Sequence, residues 1–171
     1  LYLKETKSSY AIERQTPTQQ RIAAFMAVLQ QAGHAKLSQQ LLIQLQNSIV
    51  DERYAENSYR TDQVYVGQTL TPGHEIIHFV GAKPEDVPLF MAAWLKTAEK
   101  ILLSDCNPII SAAVLSFAFV FIHPFDDGNG RIHRYLLHHI LTQKGVNPDN
   151  IIFPVSAVLY KNIRLYDAML E

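Results

Sequence analysis

The chain has 171 residues, 48% of them apolar and 18% charged, with a formal net charge of −1. That length can bury the core of one compact domain, and the near-neutral balance excludes a nucleic-acid footprint or a polybasic membrane anchor. One cysteine, Cys106, excludes an intramolecular disulfide and fits a reducing, cytoplasmic compartment. No basic-then-apolar leader opens the chain. The longest apolar stretch, Ile109 to Ile122, is interrupted by Ser111 and Ser116 and is too short to span a bilayer, so no membrane partner is expected. Leu1 in place of Met, and a helical pattern at the last residue, read as an excerpt of a longer protein. There is no internal repeat or long linker, so residues 1–171 read as a single domain, with homo-oligomerisation left open.

Near the N-terminus Ser9 and Glu13 stand four apart, on one face of a candidate helix over residues 1–15. Thr16-Pro17 with Gln19 is a helix-start signal, followed by the apolar face Ile22, Phe25, Met26 and Leu29 and a stop at Gly33. Leu41, Leu42, Leu45 and Ile49 predict a second helix. Gln63 to Gly67 and Glu75 to Val80 are short β-branched runs around a loop with Pro72-Gly73, which predicts a hairpin within 62–80. Pro84-Glu85-Asp86 opens a helix striped by Val87, Phe90, Met91, Trp94, Leu95, Ala98, Ile101 and Leu102. Asn107-Pro108 starts a helix that is apolar nearly all round, hence central. Another runs from about Gly130 to Gly145, and a last one carries Val155, Val158, Leu159, Ile163, Tyr166 and Leu170. The sum is an all-α bundle around a central apolar helix, with one small β-hairpin; residues 108–145 hold its core helix, a connecting loop and the next helix.

The chemistry lies in that connection, His123-Pro124-Phe125-Asp126-Asp127-Gly128-Asn129-Gly130-Arg131-Ile132-His133-Arg134. Pro124 ends the apolar helix, because the residue before a proline leaves the right-handed α region, and His123 is thereby anchored facing a cleft. Gly128-Asn129-Gly130 can turn successive backbone N–H groups into one concavity at the start of a helix, which makes an anion site. Arg131 and Arg134, three apart, can both reach the same phosphates. Asp127 would repel a phosphate unless Mg²⁺ were shared between carboxylate and phosphate oxygens. Base, metal ligand, nest and arginine pair are the parts of a phosphoryl- or nucleotidyl-transfer centre.

This run resembles the signature of the Fic family, His-x-Phe-x-acid-Gly-Asn-Gly-Arg-x-x-Arg, at every specified position. The resemblance implies a Fic-type bundle and an enzyme that moves AMP from Mg-ATP to a Ser, Thr or Tyr hydroxyl of a target protein. His123 would be the general base, a role its ordinary pKa suits. Phe125 would fix the loop from the core, and Asp127 would hold Mg²⁺. Gly128, Asn129 and Gly130 would cradle the α- and β-phosphates. Arg131 and Arg134 would neutralise the leaving pyrophosphate and the γ-phosphate. The hairpin would be the flap that clamps a target strand, with Ile76 and Ile77 against the modified residue.

Ser9-Tyr10-Ala11-Ile12-Glu13-Arg14 is similar to the family's inhibitory motif, Ser/Thr-x-x-x-Glu-Gly/Asn, in which the glutamate pairs with the second signature arginine, here Arg134. Arg14 departs from it. If the likeness holds, the resting enzyme is weakly active, and some such relatives also remove AMP. The other readings are transfer of a different phosphate-containing group, a silent peptide- or nucleotide-binding module, and a helical phosphohydrolase, the last opposed by the lack of an adjacent His-Asp pair. His133, His138 and His139 are spaced wrongly for a zinc site. No P-loop occurs, and Phe117, Phe119 and Phe121 read as core.

Overall fold

The computed structural model describes residues 1–71, 73–146 and 151–170, without the side chains of residues 68–70. Among these the chain forms eight α-helices and one hairpin: α1 (Tyr2–Ile12), α2 (Gln19–Gln30), α3 (Gln39–Ile49), β1 (Tyr65–Thr71), β2 (His74–Val80), α4 (Val87–Leu103), α5 (Pro108–Ile122), α6 (Asn129–Gln143), α7 (Val155–Lys161) and α8 (Ile163–Leu170). Single 3₁₀ turns cover Glu52–Tyr54 and Pro84–Asp86. No described helix is long and apolar enough to cross a membrane.

Local chemistry sets the helix starts. Thr18, Ser38 and Asn107 each accept a hydrogen bond from a first-turn N–H through the side chain. The start of α2 therefore falls at Thr18 rather than at the Thr16-Pro17 signal. The C-terminal helix expected from Val155 onward is two helices, broken at Asn162, whose side chain bonds back to the Val158 carbonyl at 2.9 Å.

Helix α5 packs between α4 and α6. Leu115 and Phe119 are buried on it, and the Trp94 indole of α4 donates to the Leu115 carbonyl at 2.9 Å. Its apolar surface is not fully covered, however: Ile109, Ile110 and Val114 are more than half exposed, and Phe121 is exposed as well. Of the three phenylalanines, only Phe119 is fully buried.

Helix α1 buries a polar face, Glu5, Thr6, Ser9 and Tyr10. Burial of such groups is tolerable only where they find partners. The Glu5 carboxylate accepts from His138 Nε2 at 2.8 Å, from Ser156 N at 2.9 and 3.0 Å, and from Ser156 Oγ at 2.6 Å. Tyr10 Oη donates to the Ile49 carbonyl at 2.9 Å. These bonds dock α1 onto α3, α6 and α7.

The strands pair antiparallel, Tyr65 with Val80 and Val66 with Phe79, then shift register so that Gly67 faces Ile77. The first strand runs to Thr71, through residues the sequence suggested were loop. Val66 of β1 and Ile76, Ile77 and Val80 of β2 are exposed.

Candidate active site

His123 caps the C-terminus of α5 at φ 55°, ψ 61°. Proline after it removes the right-handed conformation, as expected, but the residue takes the left-handed well, which histidine enters more readily than most side chains. Its Nδ1 lies 3.0 Å from the Val120 carbonyl. A carbonyl can only accept, so Nδ1 carries the hydrogen and Nε2 keeps its lone pair. Burial holds the imidazole below its ordinary pKa, helped by the Arg60 charge and opposed by the Val120 bond and by Glu13 and Asp127. The ring is neutral near pH 7.

The loop after it is braced from within. Phe125 is fully buried against Tyr59 and Phe119, a burial that contributes about 2 kcal/mol. Asn129 donates from Nδ2 to the Phe125 carbonyl at 2.6 Å and accepts from its N–H at 3.1 Å. The Asn129 side chain thus braces the loop through Oδ1 and one of its two Nδ2 hydrogens. Gly128 stands at φ 94°, and its N–H bonds to Asp127 Oδ1 at 2.6 Å, so it too is occupied. The first intrahelical bond of α6 runs from Ile132 N to Gly128 O. The N–H groups of Asn129, Gly130 and Arg131 precede it and have no intrahelical acceptor.

The two arginines are each 1% exposed and take different partners. Arg131 donates to the Ile49 carbonyl at 2.8 Å and to Asp127 Oδ1 at 2.6 Å, with its guanidinium over the Tyr10 ring. Arg134 donates from Nε to Ser9 Oγ at 2.8 Å, and from Nη2 to Ser9 O at 3.0 Å and to Glu13 Oε1 at 2.6 Å. Burial works to lower the Arg134 pKa, but Glu13 and Tyr166 outweigh it and hold the group above its ordinary value. Arg134 Nη1 and Arg131 Nε have no hydrogen-bond partner. Glu13 Oε1 also lies over Gly130, where a Cβ would run into it. A carboxylate therefore sits on the open backbone of α6 beside an unspent guanidinium nitrogen, as an anion would.

Ser9, Glu13, Gly130 and Arg134 thus come together, as do Asp127 and Arg131. Ile76 and Ile77 stand apart on the exposed hairpin, which reaches the site through Phe79: its ring centroid is 6.0 Å from that of His123. His133, His138 and His139 have separate partners in Ser116, Glu5 and Tyr135. Three residues outside the signature matter here. Glu56 accepts from the Asp126 N–H at 2.9 Å, and burial, with the nearby Asp126 and Asp127 charges, pushes its pKa up to about 7 against the pull of that bond. Tyr166, read from sequence as one more apolar stripe position, stacks on His133 and lies against Arg134. Arg60 bonds the His123 carbonyl. Nothing in their spacing marked them.

The Fic/DOC family model matches residues 36–141, more than half of the chain. The chain belongs to the Fic/DOC family. It is 34% identical over 96 residues to the protein adenylyltransferase Fic of Drosophila erecta, 56% of this chain and 17% of that one. The protein of the same name from Culex quinquefasciatus is 34% identical over 93 residues, 53% and 16% of the two chains. The matched region thus spans about a sixth of these relatives' length. Among solved structures, a Fic family protein from Desulfovibrio desulfuricans superposes with a TM-score of 0.73 at 21% identity, over 99% of this chain and 55% of that one. A Fic domain-containing signaling protein from Bacteroides thetaiotaomicron gives 0.69 at 22% identity, over 95% and 69%. These neighbours share the fold.

Proposed function

We propose that this Fic domain transfers AMP from Mg-ATP to a hydroxyl side chain of a target protein and is held at rest by its own α1. The observation that carries the reading is an imidazole whose Nδ1 hydrogen is held by the Val120 carbonyl, which leaves Nε2 the basic nitrogen, in the loop leading to a helix start where Glu13 sits over Gly130 and bonds Arg134. When Glu13 swings away, the N–H groups of Asn129, Gly130 and Arg131 and the Nη groups of Arg134 are left to bind phosphate oxygens. His123 Nε2 takes the proton of the acceptor Ser, Thr or Tyr as its oxygen bonds to the α-phosphorus. The bond from that phosphorus to the β-phosphate bridging oxygen breaks, and pyrophosphate leaves.

No cluster of three or more His, Cys, Asp or Glu side chains among the described residues could hold a metal by itself. Mg²⁺ arriving with a nucleotide needs only one or two carboxylates, the phosphates and water supplying the rest. Asp127, 29% exposed beside the nest, fits that need. The ion would neutralise phosphate charge there. Asp127 keeps one carboxylate oxygen bonded to Arg131 and Gly128, so its orientation is set in advance. The exposed hairpin, a two-stranded sheet among the described residues with Ile76 and Ile77 exposed on it, suits an added target strand.

The test uses α-³²P-ATP with the Glu13→Gly protein and with His123→Asn in that background, asparagine being tolerant of the left-handed turn. Label enters the first protein and not the second, while both bind ATP alike. Equal labelling of the two would remove the mechanism, and the mass added to the first identifies the group transferred.

A further inference from the structure

Arg60 lies between α3 and the hairpin, outside the signature, and is 3% exposed. Its guanidinium makes a fan of bonds to backbone carbonyls. Nε donates to His123 O at 2.6 Å, Nη1 to Asp62 O at 2.7 Å, and Nη2 to Ala82 O at 2.5 Å with a longer reach to Ile122 O at 3.4 Å. These acceptors belong to three places: the end of α5, the stalk entering the hairpin and the stalk leaving it. The Arg60 backbone adds a bond from its N–H to the Pro124 carbonyl at 3.0 Å.

The surrounding contacts leave little slack. Ala82 N donates to Ile122 O at 3.3 Å and Gly81 N to Val64 O at 3.0 Å. A Cβ on Gly81 would lie 3.0 Å from Arg60 Nη2 and 3.2 Å from His123 Cβ, so the stalk passes directly against both residues. His123 itself keeps a left-handed backbone, which a non-glycine residue holds only where its neighbours over-determine it. A rigid, permanently charged fork that meets several carbonyls in one plane is what arginine supplies and lysine cannot.

We propose that Arg60 is a positioning residue, which fixes the left-handed turn at His123 and ties it to both stalks of the hairpin, so that a segment docked on the flap meets the imidazole in one register. This rests on the transfer reading above. Arg60 touches neither nucleotide phosphate site nor acceptor in this assignment; it acts through the His123 carbonyl and the flap.

The test places Arg60→Lys and Arg60→Gly in the Glu13→Gly background and follows ATP binding by calorimetry and self-labelling at saturating Mg-ATP. ATP affinity stays within about twofold, because the nest is untouched, while the labelling rate falls roughly tenfold to a hundredfold, the usual cost of displacing a reacting group by about 1 Å. A cavity of about 610 Å³ lined by Arg60, Tyr59, Thr61 and Pro84 opens beside Arg60 itself. Added guanidinium in the millimolar range therefore restores part of the rate to Arg60→Gly and none to His123→Asn. A lysine variant as fast as its parent, or a rate loss matched by an equal loss of ATP affinity, overturns the proposal. Should neither variant fold, hydrogen exchange on the unaltered chain decides. Protection of the Arg60 Nε–H in step with the His123 and Ala82 amides supports it, and free exchange of that proton overturns it. Absence of label in the Glu13→Gly parent would instead overturn the transfer reading, and hydrogen exchange would still test Arg60.

Discussion

Replacing Glu13 by glycine should make the protein less stable and more reactive at once. The Glu13–Arg134 contact is a charge-assisted bond of 2.6 Å to a guanidinium that is 1% exposed, from a carboxylate that is 33% exposed. Such bonds contribute about 1.5–3 kcal/mol, and the exposure of Glu13 puts this one at the low end. Ser9 still accepts two bonds from Arg134, so the buried guanidinium is not left bare. A loss of about 1.5 kcal/mol lowers the melting temperature by roughly 3–6 °C in a chain of this size. The same energy no longer opposes a phosphate at Gly130, so ATP affinity rises roughly tenfold. Mg-ATP at a hundred times its Kd then returns about 2.7 kcal/mol, more than was lost. Thermal melts with and without Mg-ATP, calorimetry, and labelling from α-³²P-ATP read the three effects. A variant that melts lower but binds ATP and labels no better than its parent would refute the reasoning and leave Glu13 a structural side chain.

Gly130→Ala in the Glu13→Gly background should separate helix stability from nucleotide binding. Alanine gains about 1 kcal/mol over glycine inside a helix, yet its methyl enters the space now filled by Glu13 Oε1. The expected protein melts no lower than the parent and has lost ATP binding by calorimetry. Arg14 occupies a left-handed backbone position at φ 54°, so Arg14→Gly should raise stability by about 0.5–1 kcal/mol in thermal melts and lower basal labelling. Increased labelling would show that the Arg14 turn does not hold Glu13 in place.

That φ also shows what the departure at position 14 costs. The motif that residues 9–14 resemble has Gly or Asn there, the residues that enter the left-handed well most easily, and this chain enters that well with arginine at some cost. The order of helices from Gln19 onward, the signature loop and the Ser9–Glu13 face were all legible, because each is written in local spacing. What escaped was non-local. Arg60 is one arginine in a loop, and its acceptors are carbonyls that folding gathers from segments up to 63 positions away. The helix within residues 1–15 was legible, but not which of its faces is buried, because that face is polar and shows no apolar stripe. Asn129 was assigned to phosphate, and spacing could not show that one of its two amide N–H groups and its carbonyl oxygen brace both backbone groups of Phe125. The uncovered face of α5 shows the reverse limit, since hydropathy says what a helix could bury and not what is there to bury it.

On the reading proposed above, in which α1 blocks the nest, the carboxylate of Glu5, gripped by His138 and Ser156 at the far end of α1, makes that arm a tether. Glu13 then confronts Arg134 as an intramolecular ligand, at an effective concentration on the order of millimolar. Dilution leaves such a plug in place, whereas a separate blocking protein would be lost. On the same reading ATP competes with this tethered carboxylate for the nest, and the set point of the competition is adjustable from the anchor at Glu5.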